Sequence, residues 1–229
     1  MKVEQNKTHN RMQETTVHIP IGRVMLDGNL AIPFEAESIV LFAHGSGSSR
    51  FSSRNQYVAK RLQAEGLATL LFDLLTADEE KVDNYDMHLR FDIDLLAERL
   101  SGATLWLKTQ KETEKMAMGY FGASTGAAAA LIAENDHHDI VHAIVSRGGR
   151  PDLAGSALGL VRAPTLFIVG GEDHQVIMLN KQAMENVKAT KKLAIVPGAT
   201  HLFEEPGTLE TVASLASHWF LQYLGKTWL

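Results

Sequence analysis

Short apolar runs alternate along this chain with stretches of helical period. Ser38 to Ala43 (S-I-V-L-F-A) is almost continuously apolar, the pattern of a strand covered on both faces. Ala68 to Leu75, Met116 to Phe121, Val141 to Val145 and Thr165 to Val169 repeat it, and Leu193 to Val196 is a shorter example. Ile93, Leu96, Ala97, Leu100, Thr104 and Leu107 fall at three- and four-residue spacing, so they line one helix face. Leu209, Val212, Ala213, Ala216, Trp219 and Tyr223 do the same near the C-terminus. Asn55 to Glu65 predicts a helix stopped by Gly66. Ala127 to Ala133 predicts another, rich in the best helix former. Val17 to Ile32 predicts two antiparallel edge strands with a turn near Asp27-Gly28. Strands separated by helices imply an α/β fold: a mostly parallel central sheet, right-handed crossovers, and helices on both faces. One polar segment interrupts the alternation. Thr76 to His88 holds Asp78, Glu79, Glu80, Asp83 and Asp86, and is expected to be a solvated acidic loop rather than a substrate flap.

Composition narrows the function classes. A chain of 229 residues suits one domain, taken as 16–229, preceded by a polar, flexible arm over 1–15. Without cysteine there are no disulfides, no thiolate nucleophile and no Cys-ligated metal. A formal charge of -5 with a pI near 6.0 gives no electrostatic reason to expect nucleic acid or an anionic membrane surface as partner. No run approaches the ~18 apolar residues needed to span a bilayer. The N-terminus lacks the apolar centre of a signal peptide, so a cytoplasmic protein is expected. A homo-oligomer is compatible with the sequence.

The chemistry concentrates at one pentapeptide. Gly122-Ala123-Ser124-Thr125-Gly126 follows an apolar run and precedes the Ala-rich helix. That is the setting of a nucleophile elbow, where small residues let strand and helix pass closely while a sharp turn lifts the serine hydroxyl above the sheet. The bland alternative is a strand-to-helix turn with Ser124 as its N-cap.

A serine needs a base, and the base needs an orienting carboxylate. In a fold of this kind the chain order is serine, acid, histidine. The run Thr165 to Val169 opens into Gly170-Gly171-Glu172-Asp173-His174, where Glu172 and Asp173 are both available as the acid. Leu193 to Val196 opens into Pro197-Gly198-Ala199-Thr200-His201, which puts His201 before the last helix. His174 competes for the base but precedes the strand that should carry it. Two backbone N–H groups should hold the developing oxyanion. The N–H of Thr125, next to the nucleophile, is one. The other comes from His44-Gly45-Ser46-Gly47-Ser48-Ser49-Arg50, with Ser46 chosen as donor.

These strings together resemble the α/β-hydrolase family from about Val17 to the C-terminus, and more narrowly its dienelactone-hydrolase-like branch. The likeness is carried by the His44-Gly45-Ser46-Gly47 loop, the serine elbow, Gly171-x-Asp173 and Gly198-x-x-His201. Arg54-Asn55, Arg90-Phe91-Asp92, Ser146-Arg147-Gly148-Gly149-Arg150-Pro151 and His201-Leu202-Phe203-Glu204 look like a subgroup of small hydrolases, some fused to phosphoribosyltransferase domains. The resemblance implies an α/β-hydrolase fold, assigns the acid to Asp173, and implies hydrolysis of a small-molecule ester without cofactor or metal. Dienelactone hydrolase itself uses a cysteine nucleophile, which this chain lacks, so turnover of dienelactones is not implied.

Several residues stay open. His44, Arg50, Arg54, Arg147 and Arg150 lie in loops at the sheet edge that carries Ser124, where open α/β sheets bind ligands. The arginines either clamp a substrate carboxylate or phosphate or fix loops, with Arg147 or Arg150 paired to Asp152 or Glu204. The short stretch between Val145 and Thr165 has no room for a large lid domain, so an open site and short acyl groups are expected. Thioester or amide hydrolysis on the same triad, and a non-catalytic binding protein that keeps the fold, are the alternatives. Gly45-x-Gly47-x-x-Arg50 fails the nucleotide-loop fingerprints. His137-His138-Asp139-His142 is expected to be a solvated loop rather than a metal site.

Overall fold

Every residue of strand β3 (Ser38–Ala43) is buried. Ile39, Leu41 and Ala43 enter one apolar core, and Val40 and Phe42 enter another. Successive side chains of a strand point to opposite faces, so a continuous apolar run needs a cover on both. The computed structural model, which describes residues 12–225, supplies those covers. The strands β1 (Gln13–Ile21), β2 (Val24–Ile32), β3, β4 (Ala68–Phe72), β5 (Ala117–Ala123), β6 (Val141–Arg147), β7 (Thr165–Gly170) and β8 (Lys191–Val196) form one sheet. Its order is β1-β2-β4-β3-β5-β6-β7-β8. From β4 to β8 all neighbours are parallel, while β1 and β2 form an antiparallel edge.

The helices are α1 (Ser53–Ala64), α2 (Ala77–Asp86), α3 (Ile93–Thr109), α4 (Thr125–Glu134), α5 (His174–Asn186) and α6 (Thr208–Leu224). Val58 and Leu62 of α1 share a core with Val212, Ala216 and Phe220 of α6. Leu96, Leu100 and Leu107 of α3 share the opposite core with Ala128 to Leu131 of α4 and Ala183 of α5. The spacing read along α3 and α6 is therefore the spacing of their buried faces. This is the α/β-hydrolase architecture, and between β6 and β7 it carries only a short 3₁₀ segment, Pro151–Gly159, in place of a lid. Among the described residues no helix is long and apolar enough to cross a membrane.

Three local expectations need correction. The edge hairpin turns at Gly22-Arg23, where Gly22 has φ +58° and Ile21 pairs with Val24, not at Asp27-Gly28. Gly28 lies inside β2 between Val17 and Phe72, and a Cβ there would come 3.1 Å from Phe72 Cβ. Its glycine serves close strand approach rather than a turn. Gln13, Glu14 and Thr15, expected in the arm over 1–15, belong to β1; residues 1–11 lie outside the described residues.

The expected acidic loop from Thr76 to His88 is mostly helix α2. Thr76 Oγ1 accepts from Glu79 N–H at 3.2 Å, and Glu79 Oε2 accepts from Thr76 N–H at 2.7 Å. This capping box satisfies the first-turn donors. Asp78, Glu79 and Glu80 fall in that first turn, where the helix dipole favours negative charge. Arg99 pairs with Glu79 and Arg90 with Asp83, tying α2 to α3 and to the short turn that joins them.

Candidate active site

Ser124 stands between β5 and α4 with φ 51° and ψ -119°. A residue with a Cβ in this region costs roughly 1–3 kcal/mol and persists only where its surroundings force it. The forcing comes from both sides of the turn. A Cβ on Gly122 would lie 2.4 Å from Ala127 Cα, and one on Gly126 would lie 2.2 Å from the Ala43 carbonyl oxygen. Strand and helix thus pass in backbone contact, and Ser124 takes up the strain. Ser124 occupies the N-cap position of α4, but its side chain makes no capping bond to the helix. Its N–H donates to Arg147 O at 3.2 Å, and its carbonyl accepts from Arg150 N–H at 3.1 Å. Ser124→Gly is expected to be about 1 kcal/mol more stable than Ser124→Ala in urea denaturation, because only glycine relieves the backbone. Equal stability would mean that the turn stores no strain.

The acid and the base arrive on two loops stitched together by backbone bonds. Gly171 N–H donates to Val196 O at 2.8 Å and Glu172 N–H to Ala199 O at 3.0 Å. A Cβ on Gly170 would strike the Ala199 carbonyl oxygen at 2.3 Å. The result is a 2.6 Å contact between Asp173 Oδ2 and His201 Nδ1. Glu172 is exposed and His174 opens α5, so neither joins the pair. Glu205 fixes the base loop, accepting from Thr200 N–H at 3.1 Å and from Thr200 Oγ1 at 2.5 Å. Phe203 anchors it from below, 1% exposed and with φ 55°. Gly148 at the end of β6 lies under His201, since a Cβ there would come 3.5 Å from its Cε1. Ser124 and His201 therefore flank the same Gly148 turn.

Ser46 and Thr125 also meet. The Ser46 N–H donates to Thr125 Oγ1 at 2.9 Å. Thr125 is the first residue of α4, where N–H groups have no partner within the helix. Both ring nitrogens of His44, which lines the cavity beside the Ser46 loop, are engaged within the protein. Its Nε2 accepts from Leu74 N–H at 3.1 Å, and its Nδ1 is 3.0 Å from the Gly45 carbonyl. Burial pushes its pKa below the ordinary 6.5, which keeps the ring neutral for both bonds.

The candidate arginines divide. Arg50 is engaged by Asp73, which also accepts from its N–H at 2.7 Å. Arg150 makes a two-pronged pair with Asp152 at 2.9 and 2.7 Å. Arg54 meets Glu204 at 3.1 Å. Arg147 pairs with neither Asp152 nor Glu204. It is buried, and its pKa is depressed to about 10 by burial and then by the charge of Arg54.

Beside the oxyanion loop lies a cavity of about 340 Å³, lined by Ser46, Ser48, Glu80, Asp83, Asn84 and Arg90 among others. Burial, then the nearby Asp73 charge, raises the Glu80 carboxyl above its ordinary value. This wall escaped the sequence reading because α2 did. Its T-x-x-E capping box was the available signal. Among the described residues, Asp83, Asp86 and His88 bring ligand atoms within 4.8 Å of one another, but Asp83 is held by Arg90 and Asp86 by His88. His138 is taken by Glu134 at 2.9 Å, and His142 is exposed on β6.

The fold that carries these residues is matched in known proteins. The model of the dienelactone hydrolase family fits residues 26–224. The chain belongs to the dienelactone hydrolase family. It is 59% identical to a solved dienelactone hydrolase from Anabaena variabilis, with TM-score 0.92, covering 93% of this chain and 99% of that one. Est1E from Butyrivibrio proteoclasticus shares the fold at TM-score 0.77 and 16% identity, covering 92% and 99%. A putative phosphoribosyl transferase of Mycobacterium tuberculosis is 54% identical over 213 residues, 93% of this chain. The chain spans only 47% of that relative's length, about half. The family membership makes this chain a dienelactone hydrolase-like α/β hydrolase.

Proposed function

We propose that this protein hydrolyses carboxylic esters through an acyl-enzyme formed on Ser124. The observation that carries the reading is the contact of His201 Nδ1 with Asp173, on a loop flanking the strained Ser124 turn. With Nδ1 committed to the carboxylate, Nε2 is the nitrogen left to take the Ser124 proton. Ser124 Oγ attacks the ester carbonyl, and its oxygen becomes the oxyanion. The N–H groups of Ser46 and Thr125 receive that charge, with the substrate oxygen displacing the Thr125 hydroxyl from Ser46. His201 then gives its proton to the departing alkoxide. In the second half it takes a proton from water, which attacks the acyl carbonyl and frees Ser124.

Labelling by a fluorophosphonate probe tests this reading directly. The wild-type protein is expected to be labelled and Ser124→Ala is not. An unlabelled wild type would overturn it. The substrate class follows from the absence of a lid between β6 and β7 and from the size of the cavity. 4-Nitrophenyl esters of two- to four-carbon acids are expected to show a higher kcat/KM than the twelve-carbon ester. The reverse order in a chain-length series would refute the short-acyl preference.

A further inference from the structure

Among the described residues, Arg147 is a buried cation without a carboxylate partner. It is 7% exposed, yet no carboxylate lies within ion-pair distance of it among the described residues. Its Nε has no hydrogen-bond partner, and the guanidinium reaches only Asn55 Oδ1, through a long 3.4 Å bond. The guanidinium sits 5.9 Å from the Phe203 ring centre. Beside it stands Arg54, whose Nε is also buried and unpartnered. A buried charge is costly unless it is paired, and two together are costlier still. Arg50 and Arg150 obey that rule, each on its own aspartate.

The same corner is positive for a second, independent reason. Arg54 belongs to the first turn of α1, which carries no acidic residue. The helix N-terminus therefore adds its partial positive charge, capped only by the neutral Ser52 hydroxyl, which accepts from Asn55 N–H at 3.3 Å. The carboxylate that pairs with Arg54 is Glu204, its side chain 64% exposed. An exposed pair of this kind contributes little and is readily exchanged.

The corner also adjoins the catalytic groups. Arg147 is in register with Ala123 and accepts the Ser124 N–H on its carbonyl oxygen at 3.2 Å. Phe203, against its guanidinium, is two residues beyond His201.

We propose that Arg54 and Arg147 bind an oxyanionic group, a carboxylate or phosphate carried by the ester substrate, in exchange for Glu204. This rests on the esterase reading, but the site can be tested without turnover. Inorganic phosphate and succinate are titrated into Ser124→Ala, with thermal stability and calorimetry as readouts. At least one should bind, and the stronger names the source of the anion. Arg54→Gln should weaken that binding about tenfold, the loss expected for one charge-assisted contact. Glu204→Gln should tighten it by removing the resident competitor. In turnover, the ratio of KM for 4-nitrophenyl hemisuccinate to KM for the butyrate should rise about tenfold in Arg54→Gln. Arg147→Gln should act the same way, and if that variant fails to fold, the more exposed Arg54 carries the test. No binding of either anion, or an equal KM rise for charged and neutral esters, would overturn the proposal. Labelling without anion binding would remove the anion site alone; anion binding without labelling would remove the esterase reading alone.

Discussion

Ser124→Ala is expected to lower kcat for an activated ester by about 10⁴- to 10⁶-fold, with secondary structure intact and KM little changed. Loss of the nucleophile in a serine triad costs of this order, because acid and base lose the atom they serve. What survives is the contribution of the oxyanion donors and of substrate binding. Alanine fits the turn as serine does, since the contacts that force the backbone there come from Gly122 and Gly126, not from the hydroxyl. Circular dichroism and single-turnover kinetics on the same sample separate the two effects. A loss under a hundredfold would mean that a nucleophile other than Ser124 does the chemistry.

Asp173→Asn is expected to lower kcat by about 10⁴-fold, again with modest change in KM. Asp173 Oδ2 lies 2.6 Å from His201 Nδ1, and its side chain is only 14% exposed. A carboxylate can only accept there, so it holds the proton on Nδ1 and leaves Nε2 free to act as base. An asparagine amide can present its NH₂ instead. The imidazole then carries its proton on Nε2, where it cannot take one from serine. The carboxylate also stabilises the imidazolium formed in the first step, which an amide does far less well. Measured kcat at a pH above the histidine range decides the matter. A loss below tenfold would show that Asp173 neither sets the tautomer nor supports the charge.

The order serine, acid, histidine was expected after three apolar runs, which are β5, β7 and β8. It was legible because it is written in local patterns. An apolar run announces a strand, and Gly122-x-Ser124-x-Gly126 announces the close crossing that the structure shows as 2.2 and 2.4 Å clashes for any added Cβ. The capping box at Thr76 was equally local. A run of five acids drew the reading toward a solvated loop, although three of them occupy the turn where a helix dipole welcomes them.

The sequence by itself determined the sheet, its two-sided burial and the loops that carry Ser124, Asp173 and His201, because strand period and glycine placement are properties of neighbours in the chain. Local pattern left Glu172 and Asp173 both available and the resemblance assigned the acid to Asp173; only the tertiary structure brings Asp173 against His201 in space and decides which arginines are already answered. Asp73 meets Arg50 across 23 residues and Glu204 meets Arg54 across 150. Charges pair by distance in space, and no pattern along the chain encodes distances of that kind. Arg147 ends β6 and Arg150 follows three residues later, and the two look alike in sequence, yet folding gives Arg150 an aspartate and buries Arg147 without one.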